Sequence, residues 1–249
     1  MAGHVRLAAS AAGDLSTVFD GILDRLPHGP DTTTWRQRLR GRSAEAAARL
    51  SAERATAGEP IHPARVYGEL APLLDPDAVV IGDGGDFVSY AGRLVDSQRP
   101  GCWLDPGPYG CLGTGLGYAI GARVARPDAQ VVLLLGDDAA GFSLMDVDTL
   151  VRHRLPVVIV CGNNGVWGLE KHPMRAVYGY DVAADLQPGC RYDLVVTALG
   201  GHGELVERAD DLGPALRRAF RVSRDTSLPA MVNVVLDLAV AYSRSSVLA

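Results

Sequence analysis

The sequence is poor in lysine, in long apolar runs and in paired cysteines. Lys171 is the single lysine among 249 residues, and the other 23 basic side chains are scattered arginines. The net charge is −5. That excludes the basic stripe by which a protein holds a nucleic-acid backbone. No apolar run approaches membrane-spanning length; the longest, at 131–135 and 156–161, suit buried strands. His4, Arg6, Asp14 and Asp20 interrupt any apolar signal core near the start, so the chain is expected in the cytoplasm. Cys102, Cys111, Cys161 and Cys190 show no CxxC spacing. They read as reduced thiols rather than as a zinc site or a disulfide framework. Glycine is plentiful instead, 29 residues, and it clusters at the ends of apolar runs. The 47% apolar content rules out wholesale disorder and allows a sizeable core, in one large domain or two small ones.

Residues 18–26 (VFDGILDRL) carry apolar positions at helical spacing, ended by Pro27 and Gly29. Residues 31–34 (DTTT) offer helix caps before an Ala/Arg-rich stretch to Ala57, which Gly58, Glu59 and Pro60 break. Residues 1–60 are therefore read as packing and linker helix without chemistry, and 61–249 as a separate domain. From Ile61 onward, helical segments alternate with short apolar runs at 77–81 (DAVVI), 130–135 (QVVLLL), 156–161 (PVVIVC) and 230–238 (AMVNVVLDL). A short strand is expected near Leu205 and Val206. The pattern predicts an α/β fold, a three-layer parallel sheet with helices on both faces. Ligands then bind beyond the carboxyl ends of the strands. Three glycine-bearing polar loops converge there: 82–87, 136–138 and 162–166.

Glycines at strand ends let the backbone approach a phosphate and present N–H groups to it. Asp137 and Asn164 supply a carboxylate and an amide oxygen, the hard ligands that magnesium takes together with phosphate oxygens. Alone, Asp137 reads more simply as a helix N-cap. A helix-strand crossover of about two dozen residues separates Gly136-Asp137 from Asn163-Asn164, which places both side chains at one sheet edge. That spacing favours metal over cap.

Gly-Asp, about two dozen residues and then Asn-Asn resembles the thiamine diphosphate signature. The segment FSLMDVDTLVRHRLPVVIVCGNNGVWGLEKHPM is similar to the acetolactate synthase family, particularly its actinobacterial members. The likeness covers essentially the whole chain and is strongest over 79–205. It implies thiamine diphosphate and Mg2+ as cofactors, with Asp137, Asn164 and the carbonyl of Val166 as metal ligands. Gly84, Gly85, Asp86 and Phe87 match the loop that contacts the diphosphate. Gly136, Asp137, Asp138 and Ala139 would line the same group, as would Trp167, Gly168 and Leu169. Leu112 falls where the family sets an apolar residue under the bent cofactor, and the carbonyl of Gly110 would accept from the pyrimidine amine. Such seating works by proximity, and the cofactor carries the chemistry.

Glu170 stands where related decarboxylases carry a glutamate, a proton donor or base near substrate. Acetolactate synthases proper place an apolar residue there, so decarboxylation and carboligation both stay open. Glu170 and His172 also read as solvated helix residues, while Trp167, Lys171 and His172 are candidates for shaping the pocket. Two positions depart from the family. Asp138 replaces a small residue beside the diphosphate, where a carboxylate faces like charge. Ala140 replaces a phenylalanine, and a gap is expected beside the cofactor loop.

The family has three domains, and this chain resembles the last plus a tail of the middle one, including 4–7 and 18–26. The pyrimidine-binding domain, with its activating glutamate, is expected on a second polypeptide, in a heterotetramer. The expected function is the diphosphate-binding subunit of a split enzyme. It would decarboxylate a pyruvate-like 2-oxo acid and transfer or release the acyl carbanion. Alternatives are a non-catalytic scaffold or remnant with weak cofactor binding, and a 2-hydroxyacyl-CoA lyase or oxalyl-CoA decarboxylase-like subunit. Neither nucleic acid nor membrane is expected as a partner.

Overall fold

In the computed structural model, residues 6–26 and 29–242 are described. His4 and Pro27 lie outside the described residues. The chain divides into two compact units, Met1–Ala48 and Arg49–Ala249. In the first unit, helix α1 (Leu15–Leu23) begins where the Asp14 carboxylate accepts from the Thr17 N–H at 3.0 Å. Helix α2 (Thr33–Arg54) begins within the DTTT caps, Asp31 accepting from the Thr33 N–H at 2.9 Å, and runs on into the second unit. Its last turn is tied there: Arg54 donates to the Leu94 carbonyl, Glu53 pairs with Arg93, and Leu50 packs on the core. These ties lie on the N-terminal side of Ile61, where the separate domain was expected to begin.

The rest of the second unit runs α3 (Pro63–Leu70), β1 (Val79–Asp83), α4 (Asp86–Leu94), β2 (Trp103–Leu104), α5 (Gly115–Ala125), β3 (Val131–Gly136), α6 (Asp137–Ser143), α7 (Val147–Arg152), β4 (Val158–Asn163), α8 (Gly168–Tyr178), α9 (Tyr192–Ala198), β5 (His202–Val206), α10 (Ala209–Thr226) and β6 (Ala230–Val235). The six strands form one parallel sheet in the order β2-β1-β3-β4-β6-β5. Successive strand residues point to opposite faces. Val132 and Leu134 of β3 therefore join Tyr67, Phe87 and Leu212 from α3, α4 and α10. Val131, Leu133 and Leu135 join Leu116, Ala139, Leu150 and Val196 from α5, α6, α7 and α9. Each fully buried leucine contributes about 1.5–3 kcal/mol. The three-layer α/β expectation is met, and the apolar runs are continuous because both faces are covered.

The strands reach past the apolar runs into the polar residues that end them. Asp83 pairs with Leu135, Gly136 with Gly162, and Asn163 with Val235. The expected loop 136–138 is mostly helix: α6 starts at Asp137 without a connecting turn, and the Asp138 carboxylate accepts from the Ala139 N–H. Helix α5 starts at Gly115, where Asp83 holds its first turn. The isolated Leu205-Val206 signal widens into β5, which is partly exposed up to Val206 and so lacks a full apolar run.

Gly162 lies under the Phe87 ring, and a Cβ there would fall within van der Waals distance of that ring's carbons. Gly162→Ala is therefore expected to lower stability by about 1–3 kcal/mol through overpacking. A urea titration with unchanged midpoint would contradict that contact.

Candidate functional site

Strand order turns over between β1 and β3: β2 lies on one side of β1, and β3 and β4 follow on the other. Parallel sheets open a crevice at such a point, beyond the strand carboxyl ends. The loop after β1 and the start of α6 flank it. Gly84 has φ +121°, which side chains rarely adopt. A methyl built on it would lie 3.0 Å from the Gly136 nitrogen and 2.9 Å from Asp138 Oδ1. The two backbones thus meet at a distance that only glycine allows. On Gly85 the same methyl would meet the Leu169 side chain at 3.1 Å, and on Gly168 the Asp86 Cβ at 2.9 Å. Gly84, Gly85, Asp86, Gly136, Asp138, Ala139, Gly168 and Leu169 are therefore neighbours.

Asp137 is 3% exposed. Its Oδ2 accepts from the Gly165 N–H at 2.6 Å and its Oδ1 from the Asp138 N–H at 3.0 Å. Burial pushes its pKa up to about 7, the Asp138 charge adds to this, and the Gly165 N–H opposes it. Asp138 is also buried, and burial pushes it up to about 6. Among the described residues no Lys, Arg or His pairs with either carboxylate. A buried carboxylate without a countercharge suits a cation. Asn164 is on the same edge, its Oδ1 accepting from the Val166 N–H at 3.2 Å. The donor set fits a hard divalent ion: one carboxylate, one amide oxygen, and the backbone of the turn that the Gly165 N–H fastens to Asp137. The glycine cradle fits a diphosphate, except that Asp138 reaches into it.

The two adjacent asparagines part company. Asn163 is structural. Its Nδ2 donates to the Cys190 carbonyl at 2.9 Å and to Asn233 Oδ1 at 3.2 Å. Asn233 in turn donates to Asp193, which Arg191 also holds. Tyr192, from the same segment, donates to the Asp137 carbonyl at 3.2 Å. Val166 is buried and bridges to Asp185, and the Trp167 N–H donates to the Ala184 carbonyl. Lys171 is buried between Asp181 and Asp185, which hold its ammonium in the charged form. It pins the loop after α8.

Phe87 belongs to the core: its ring stacks on Tyr67 with centroids 5.1 Å apart, and its carbonyl accepts from the Tyr67 hydroxyl. Only its backbone is placed at the edge. Ala140 is 1% exposed. It packs in the core from the buried face of α6. Glu170 is exposed in the first turn of α8, and its charge is felt at Asp138. Trp167 faces Phe142 with ring centroids 6.3 Å apart. Gly110 is exposed in a left-handed turn and Leu112 is half-buried. Both lie on the segment that leaves β2 at the same sheet edge, since Leu104 pairs with Ile81.

Asp83, whose place at the end of an apolar strand reads as a cap or a ligand, anchors this segment as a cap. It is 1% exposed, and its two oxygens accept from the Gly113 N–H at 3.0 Å and the Gly115 N–H at 2.7 Å. Gly165, the donor to Asp137, was not among the candidate site residues.

Three comparisons bear on the assignment. Residues 83–234 match the family model "Thiamine pyrophosphate enzyme, C-terminal TPP binding domain". A probable acetolactate synthase of Mycobacterium bovis is 55% identical over 98% of this chain and 43% of its own length. A 2-hydroxyacyl-CoA lyase 2 of Caenorhabditis elegans is 36% identical over 91% of this chain and 36% of its own. The chain thus spans less than half the length of these relatives. The fold matches a thiamine diphosphate-dependent 4-hydroxybenzoylformate decarboxylase of Rhodococcus jostii RHA1 with a TM-score of 0.66 and 24% identity, over 74% of this chain and 34% of that one. With the glycine cradle and the Asp137–Asn164 edge in place, the chain belongs to the thiamine pyrophosphate enzymes, as an acetolactate synthase-like C-terminal cofactor-binding domain.

Proposed function

We propose that this chain is the diphosphate-binding subunit of a magnesium- and thiamine diphosphate-dependent enzyme that decarboxylates a pyruvate-like 2-oxo acid and transfers or releases the acyl fragment. The carrying observation is the Gly165 N–H bond to Asp137, which joins the β3 and β4 loops beside the Gly84–Gly85 turn. Asp137, Asn164 and the Val166 carbonyl would hold magnesium. The backbone of Gly84, Gly85 and Ala139 would hold the diphosphate, and Gly110 and Leu112 the pyrimidine side. When bound, thiamine diphosphate supplies the electron sink for cleavage beside the 2-oxo carbonyl. The chain's own part is to orient and to exclude water. Asp83 fixes the start of α5 behind Leu112, and Leu169 covers Gly85.

The proposal assigns the pyrimidine-binding domain and its activating glutamate to a second polypeptide, the two forming a heterotetramer. Four unpaired cysteines suit a reducing, cytoplasmic setting. Among the described residues no helix is long and apolar enough to cross a membrane. Calorimetry with thiamine diphosphate and magnesium, with and without the pyrimidine-binding partner, tests the reading. Saturable binding is expected, and its absence from both mixtures would defeat the assignment.

We take Glu170, exposed in the first turn of α8 and acting on Asp138, as the proton donor or base. Glu170→Gln in the reconstituted complex is expected to lower turnover about a hundredfold, with cofactor affinity unchanged. Unaltered turnover would return it to a solvated helix face. The similarity to 2-hydroxyacyl-CoA lyase 2 favours a second reading, cleavage of a 2-hydroxyacyl thioester. Parallel assays with pyruvate and a 2-hydroxyacyl-CoA separate the two.

A further inference from the structure

Asp138 puts a carboxylate into the cradle, and it does so in a fixed pose. It is 7% exposed. Oδ1 accepts from the Ala139 N–H at 2.7 Å, and the Gly85 N–H favours the charged carboxylate. A methyl on Gly84 would lie 2.9 Å from Oδ1, and one on Gly85 would lie 3.3 Å from Oδ2. The carboxylate therefore bridges the β1 turn and the segment after β3 across the gap between them. These two N–H groups belong to the backbone segments assigned above to phosphate oxygens. A carboxylate and a phosphate are both anionic acceptors, and one N–H cannot serve both fully. The neighbouring charges make a second anion less welcome still, since Asp83 and Glu170 also act on Asp138 and no cationic side chain among the described residues pairs with it.

We propose that Asp138 is a built-in occupant of the diphosphate cradle, so that a diphosphate ligand enters only by displacing this chain's own carboxylate. The inference rests on the metal–diphosphate reading of the site and adds to it an affinity-setting residue. Displacement requires the Asp138 side chain to leave the Gly85 and Ala139 N–H groups and rotate out from over Gly136. A smaller side chain removes the competitor and leaves both N–H groups directed at the vacated space. Asp138→Gly thus gives up an internal hydrogen-bonded link and is less stable alone, yet binds the anion more tightly.

Inorganic pyrophosphate with magnesium is the probe, because it needs only the diphosphate half of the site and the full 249-residue chain. Calorimetric titrations of wild type, Asp138→Gly and Asp138→Asn are compared, with thermal melts of each. Pyrophosphate is expected to bind Asp138→Gly at least tenfold more tightly than wild type, and to raise its melting temperature by more. Asp138→Asn keeps the size without the charge and is expected to fall between them; it carries the test if the glycine variant does not fold. Equal or weaker binding by the variants would overturn the proposal and leave the metal–diphosphate site standing. Binding to none of the three would overturn both.

Discussion

Asp137→Ala is expected to weaken magnesium-dependent binding of thiamine diphosphate at least a hundredfold, about 2.8 kcal/mol at 1.4 kcal/mol per tenfold. Two losses combine. The first is the only carboxylate in the assigned metal set, and a hard cation replaces a charged oxygen poorly with water. The second is the acceptor for the Gly165 N–H, the bond that holds the Asn164 turn against β3. Without it the second ligand loses its anchor, so the effect exceeds that of removing one oxygen. The fold itself should survive. Asp137 is buried without a cationic partner among the described residues, and burial already raises its pKa. Its charge therefore adds little to stability. Calorimetry at fixed magnesium reads the affinity, and a melt shows that the protein remains folded. Unchanged affinity in a folded variant would remove Asp137 from the metal set.

Asp83→Ala is expected to lower stability by about 3 kcal/mol and to loosen the segment from Cys111 to Gly115. Both Asp83 oxygens accept backbone N–H groups, the Gly115 bond buried and the Gly113 bond part-buried. Each buried donor left without an acceptor costs about 1–3 kcal/mol. Burial pushes the Asp83 pKa up against those two bonds, so the carboxylate gives back part of what the bonds contribute. Two such donors span about 2–6 kcal/mol, and the sum therefore falls in the lower half of that range. Urea denaturation measures the loss. Amide hydrogen exchange at Gly113 and Gly115 separates this cause from general softening, because these two amides should exchange faster than those of β3. Exchange rates equal to wild type at both glycines would show that something else holds the loop. Cofactor affinity should fall too, since the same segment carries Gly110 and Leu112.

Much of this was legible in the residues. The runs DAVVI, QVVLLL and PVVIVC could only be buried parallel strands, and glycines at their ends located the edge. The Asp137–Asn164 spacing located the metal candidates because a crossover returns the chain to the same side of the sheet. What stayed hidden depended on side-chain direction. Asn163 and Asn164 look equivalent as letters, yet one turns inward to Cys190 and Asn233 while the other stays at the edge. Phe87 sits in a polar loop by sequence, but a glycine on β4 opens a slot that its ring fills. Lys171, the single lysine, invited a role in the pocket; two aspartates ten and fourteen residues later claim it. The Asp138 pose could not be read at all, because it is set by the approach of Gly84 and Gly85 from a strand more than fifty residues earlier.

The carboxyl edge of β1, β3 and β4 is proposed to hold a metal–diphosphate group. Manganese(II), a paramagnetic stand-in for magnesium with the same preference for oxygen ligands, tests it directly. Titrated with thiamine diphosphate into isotope-labelled protein, it should broaden the amide resonances of Gly85, Ala139, Gly165 and Val166 first. Those of β2 and of the amino ends of the strands should stay sharp. Broadening centred elsewhere in the chain, or none at saturating ligand, would contradict the account.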